Sequence, residues 1–132
     1  MLPREEFELL VEEGFLAIPQ KFRVKVENLA FIVEDEPSEE VRRRENLGPH
    51  ETLFGLYTGI PIDERGSMYG GMVMPDTITI YQKPIEEESE GDPALRRTIV
   101  FDTVWHEVGH YLGLDEEEIR TREAEKGIGH YH

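Results

Sequence analysis

No cysteine occurs in this 132-residue chain, which excludes disulfides, thiolate metal sites and cysteine nucleophiles. Any metal it holds must be bound through nitrogen and oxygen. Basic residues are also scarce: 14 Lys and Arg stand against 29 Asp and Glu, a net charge of −15. The average surface repels a polyanion, so nucleic acid is not an expected partner. The one basic run, Arg42-Arg43-Arg44, lies among Glu39, Glu40 and Glu45 and reads as a solvated helix face. No segment approaches the ~18 uninterrupted apolar residues of a transmembrane helix. Met1-Leu2-Pro3-Arg4-Glu5-Glu6 has neither a basic n-region nor an apolar h-region. The expectation is a cytoplasmic chain without a membrane partner, its acidic excess serving solubility.

The residues that remain are grouped and periodic enough for one core, and residues 1–132 are read as a single domain. Residues 3–17 are expected to form a helix. Pro3 suits its first turn, and Phe7, Leu10, Val11 and Phe15 make an apolar stripe closed by Pro19. Phe22-Arg23-Val24-Lys25-Val26 alternates like a strand. Leu29-Ala30-Phe31-Ile32-Val33 is a continuous apolar run, the mark of a strand buried on both faces. Ser38 is placed to cap a short helix over 39–45. Strands are expected over 53–57 and 77–81, joined by a Gly- and Pro-rich loop with a hairpin near Gly70-Gly71. Pro84 to Pro93 reads as acidic loop, with Asp92 capping a long helix behind it. A last helix is expected over 116–125, ended by Gly127. The order predicts an α+β domain whose small mixed sheet packs against that long helix.

The long helix carries His106-Glu107-Val108-Gly109-His110-Tyr111-Leu112-Gly113. Residues four apart on a helix lie one above the other, so two imidazoles at that spacing can hold one cation. Glu107 is then placed to act as a base on an attacking water. Random placement of five histidines among the abundant glutamates gives roughly 0.03 expected H-E-x-x-H matches. The context fits as well: Thr98 to Trp105 leads in with apolar residues at helical spacing, and Gly113 falls where a helix can end in a left-handed residue.

Catalytic zinc takes three protein ligands and leaves a fourth position open. Counting His106 as one, position eleven is Glu116 and position ten is Asp115. The turn at Gly113 makes either reachable, and both also suit the N-terminus of the last helix through its dipole. His130 and His132 on the Gly-rich tail, and His50 in a loop, are weaker alternatives.

With these blocks in view, the chain resembles the zincin-like minimal metallopeptidases, a bacterial family known by an H-E-x-x-H-x-x-G-x-x-D pattern. The resemblance extends over the Asn28–Val33 strand, Gly55-Leu56-Tyr57-Thr58-Gly59-Ile60-Pro61, Pro75-Asp76-Thr77-Ile78-Thr79-Ile80-Tyr81 and the motif helix. One departure stands out: the family's aspartate falls at position eleven, here Glu116, while Asp115 is one residue early. The resemblance implies a minimal zincin-like fold, Zn²⁺ on His106, His110 and Glu116, and Glu107 as general base. It further implies hydrolysis of a peptide or protein substrate that adds as a strand to a sheet edge within 53–81. Tyr57, Tyr81, Tyr111 and Arg65 are the candidate oxyanion donors. The alternative is a non-catalytic metal-binding or regulatory domain that retains the fold.

Overall fold

A computed structural model of the chain describes residues 1–59 and 75–126, with side chains in the last helix to residue 121. The hairpin near Gly70-Gly71, Arg65, Gly127, His130 and His132 lie outside the described residues.

Helix α1 (Arg4–Leu16) opens at Pro3, whose carbonyl accepts from the Glu6 and Phe7 N–H groups at 3.1 and 3.0 Å. Phe7 and Val11 of its stripe are buried, and Leu10 and Phe15 pack against the same core. The strand expected over 22–26 is instead a single helical turn, α2 (Gln20–Arg23). Pro19 starts that turn as well as ending the approach to it. The Phe22 ring packs 5.3 Å from that of Trp105, while Val24 is left 66% exposed. Three apolar residues at period two therefore share no buried face, and the buried one, Phe22, packs against an aromatic residue far away in sequence.

Strands β1 (Leu29–Glu34), β2 (Gly55–Thr58) and β3 (Asp76–Tyr81) form one sheet in the order β1-β3-β2. β3 runs parallel to β1 and antiparallel to β2. Between the first two strands lies α3 (Glu39–Arg44), capped by Ser38 Oγ, which accepts from the Val41 N–H at 3.2 Å. The continuous apolar run is not buried on both faces: among the described residues β1 is an edge strand, and Ile32 is 43% exposed. The central strand is the alternating one, with Ile78 and Ile80 fully buried beneath the helices.

The expected acidic loop is mostly helix α4 (Gln82–Ser89). Pro84 sits in its first turn, where helical N–H groups have no partner to lose, so it does not break the helix. Ile85 is buried there, and Glu86 pairs with Arg96 at 2.7 Å. Helix α5 (Pro93–Tyr111) then crosses the sheet, and α6 (Glu116–Lys126) ends the described chain. The core is the layer between α5 and the sheet: Val104, Trp105 and Val108 against Ile78 and Ile80, with Phe7 and Val11 of α1 alongside. The result is a small α+β domain with a mixed sheet on the motif helix. Among the described residues no helix is long and apolar enough to cross a membrane.

Candidate metal centre

The cap at Asp92 holds: its Oδ1 accepts from the Ala94 and Leu95 N–H groups at 3.0 and 3.3 Å, with Pro93 at the first helical position. At the other end of α5, the Gly113 N–H donates to the His110 carbonyl at 3.0 Å, and the Leu114 N–H to the Gly109 carbonyl at 2.9 Å. Gly113 has φ +85°, the left-handed conformation that this closure requires and glycine adopts without penalty. The chain turns back, and α6 lies close against α5. A Cβ on Gly109 would meet Ile119 Cγ1 at 2.7 Å and Cδ1 at 2.8 Å, so any other residue there must displace the Ile119 side chain.

That approach brings the first turn of α6 over the histidines. Glu116 Oε1 lies 3.1 Å from His106 Nε2 and 3.2 Å from His110 Nε2. Tetrahedral ligands at ~2.0–2.1 Å from zinc stand on the order of 3.3 Å from one another. Both nitrogen–oxygen separations are close to that value, as expected of groups that could share one metal ion. The nearest carboxylate in sequence is the rival: ligand-type atoms of His106, Glu107 and His110 lie within 4.8 Å of one another. One oxygen of Glu116 reaches both imidazole nitrogens, while Glu107 Oε1 is hydrogen-bonded to the sheet.

Glu107 Oε1 accepts the backbone N–H of Tyr57 in β2 at 2.9 Å. Burial pushes its carboxyl up to about 7; the Tyr57 N–H acts against this, and the charges of Glu116 and Glu45 add to it. A carboxyl poised near neutrality beside two imidazoles is suited to taking and returning a proton. Two cavities meet at this side chain. One, of about 310 Å³, lies on the His106 side beneath Phe54 and Thr103. The other, of about 500 Å³, lies on the His110 side and reaches Glu45 and Asp115. Leu53 and Gly55 border both.

The remaining sequence candidates separate cleanly. Asp115 caps α6, its Oδ1 accepting from the Glu118 N–H at 2.8 Å while Glu118 Oε1 accepts from the Asp115 N–H at 3.1 Å. Tyr57 and Tyr111 are committed elsewhere: Tyr57 OH donates to Asp76 Oδ2 at 2.7 Å, and Tyr111 OH donates to the Glu27 carbonyl at 2.5 Å. Tyr81 is buried at the end of β3, where burial and the neighbouring Glu34 push its phenol up, and it lines neither cavity. His50 is exposed and apart from the cluster. Sequence reasoning missed Glu45, hidden in a charged run, and Gly55, where a Cβ would come 2.7 Å from Thr103 Cγ2 and hold β2 away from α5.

Residues 26–126 match the sequence profile of a family described as zincin-like metallopeptidase. The solved structure of a conserved hypothetical protein from Thermus thermophilus superposes with a TM-score of 0.54 at 23% identity, covering 91% of this chain and 99% of that one. At that identity the likeness shows the fold alone. No curated protein matches the chain significantly.

Proposed function

The chain belongs to the zincin-like metallopeptidase family, and on that premise we propose that it is a zinc-dependent peptidase acting on peptide or protein substrates. His106, His110 and Glu116 hold the metal in this reading, and Glu107 is the general base. The observation that carries it is the convergence of Glu116 Oε1 on both imidazole nitrogens, with a second carboxylate, Glu107, beside them but held by β2. A zinc ion bound there supplies Lewis acidity to the scissile carbonyl and to water.

The protein's own groups divide the rest of the work. Glu107 removes the proton of the attacking water and later returns it to the leaving amine. Its raised pKa suits both directions of that transfer near neutral pH. Among the described residues no strand pairs with the outward edge of β2, which borders Glu107 at Gly55 and Tyr57 and so supports substrate binding as an added strand. Tyr57 and Tyr111 keep structural partners, so neither is assigned to the oxyanion.

The test is elemental analysis of the untagged protein, followed by a broad peptide library at neutral pH with added zinc and a chelator control. Glu107→Gln keeps shape and hydrogen bonding but cannot accept the proton. Zinc is expected to stay while hydrolysis falls by about 10²-fold or more. Stoichiometric zinc without any cleavage would assign the domain to metal binding alone. Cleavage insensitive to the chelator would refute the mechanism.

A further inference from the structure

The two cavities that meet at Glu107 differ in charge, and the difference lies in the protein rather than in the metal. On the His106 side the walls are Thr52, Leu53, Phe54 and Thr103, all uncharged. On the His110 side, Leu53, Leu56 and Leu114 form the flank, and Glu45 and Asp115 stand at its border. Glu45 is weakly neutralised: its ion pair with Arg44 spans 3.9 Å, beyond hydrogen-bond length. Asp115 uses Oδ1 as a helix cap, which leaves its second oxygen available. No lysine or arginine lines this cavity among the described residues.

An aliphatic flank ending in carboxylates is complementary to one kind of side chain. A lysine or arginine lays its methylene stem on apolar surface and keeps its cationic head among acids. The cavity volume of about 500 Å³ falls within the ~300–1,000 Å³ typical of ligand pockets. We propose that the cavity between Glu45, His110 and Asp115 is a specificity pocket for a lysine or arginine side chain of the substrate, next to the scissile bond. The cavity on the His106 side accepts a neutral, apolar residue. The net charge of −15 favours encounter of the protein as a whole with basic peptides. This inference rests on the peptidase reading of the metal centre and adds its substrate class. Glu45 acts here as a specificity residue and touches none of the reacting atoms.

The experiment measures binding and cleavage separately. Labelled, N-acetylated peptides identical except for Lys, norleucine or Glu at one position are titrated by fluorescence anisotropy against Glu107→Gln, in which turnover is slowed by about 10²-fold or more. The same peptides are then offered to the parent enzyme. The Lys peptide is expected to bind at least tenfold more tightly than its norleucine counterpart. Glu45→Gln is expected to reduce that preference, and Glu45→Lys to invert it toward Glu. Glu45 is on the surface at the end of α3, so neither change threatens the fold. Equal binding of the three peptides, no binding at all, or a preference unchanged in Glu45→Lys overturns the pocket. A preference that appears only when the N-acetyl group is absent assigns the cavity to a free α-amine and likewise overturns it. Charge-selective binding without cleavage removes the peptidase reading and keeps the pocket; cleavage without charge selectivity does the reverse.

Discussion

The Tyr57 N–H donates to Glu107 Oε1 at 2.9 Å, so an amide of β2, the edge strand among the described residues, is held by the acid of the H-E-x-x-H helix. The ladder explains the direction. The Tyr81 N–H donates to the Phe54 carbonyl at 2.8 Å, and alternation along an antiparallel pair turns residues 55 and 57 away from β3. The base and the strand edge proposed to bind substrate are therefore one hydrogen-bonded unit. The close packing at Gly55 holds them at that distance.

The first consequence is a pH-dependent stability. The Glu107 carboxyl is raised from 4.5 to about 7 in the folded, metal-free protein. A raised acid binds its proton more tightly when folded, so stability is full below about 4.5 and falls as pH rises toward 7. Glu107→Gln is expected to make the chelator-treated protein more stable above pH 7, by up to about 3 kcal/mol, with no gain near pH 4. Melting temperatures of both proteins across that range check it; parallel profiles would contradict the assignment.

The ligand set predicts an order of zinc affinities. His106→Ala and His110→Ala are expected to lose the metal. Glu116→Ala is expected to weaken it by more than the about 10–100-fold that follows loss of a supporting partner. Asp115→Ala removes a cap worth about 1 kcal/mol and leaves zinc largely in place. A competitive zinc titration gives the ranking, and a larger loss in Asp115→Ala than in Glu116→Ala would reassign the third ligand.

Gly109 tests the positioning of α6 without touching a ligand. Its absent Cβ is what lets Ile119 approach, so Gly109→Val must push α6 away from α5 and carry Glu116 with it. Overpacking of this kind costs about 1–3 kcal/mol. Zinc affinity is expected to fall by about 10-fold or more together with the melting temperature. Calorimetric titration that finds unchanged affinity would separate Glu116 from the metal.

The pair Glu86–Arg96 is predicted to govern acid stability at the other end of the domain. Burial alone would raise the Glu86 carboxyl, but the Leu2 N–H, Arg96 and Gln82 together hold it below the ordinary carboxylate value. A lowered acid contributes stability that is full above its unfolded pKa and is lost as pH falls through the folded one. Glu86→Gln leaves Arg96 buried without its charge partner, and a loss of about 3 kcal/mol is expected at pH 7. Denaturant melts should show that loss shrinking as the pH drops below about 4; a constant difference would exclude the ionic contribution.

Much of the domain was legible in the chain because its signals are local. The caps at Ser38 and Asp92, the stripe of Phe7 and Val11, and the left-handed stop at Gly113 depend on residues within a few positions of one another. The spacing of His106, Glu107 and His110 on one helix is equally local, and so was the proposed metal chemistry. The sequence determined that a helix would present two imidazoles and a carboxylate, and that no thiolate could join them. What lay beyond its reach depended on contacts between distant segments. Residues 20–23 are helical where Phe22 packs on Trp105, and residues 82–89 where Glu86 pairs with the buried Arg96. Which acid, Asp115 or Glu116, faces the histidines depended on how closely α6 approaches α5, fixed by the glycine at 109 against Ile119. The hold of β2 on Glu107 and the acidic wall at Glu45 arise only when strands and helices far apart in the chain are stacked. Side-chain geometry at that range is set by packing, which periodicity and spacing along the chain do not encode.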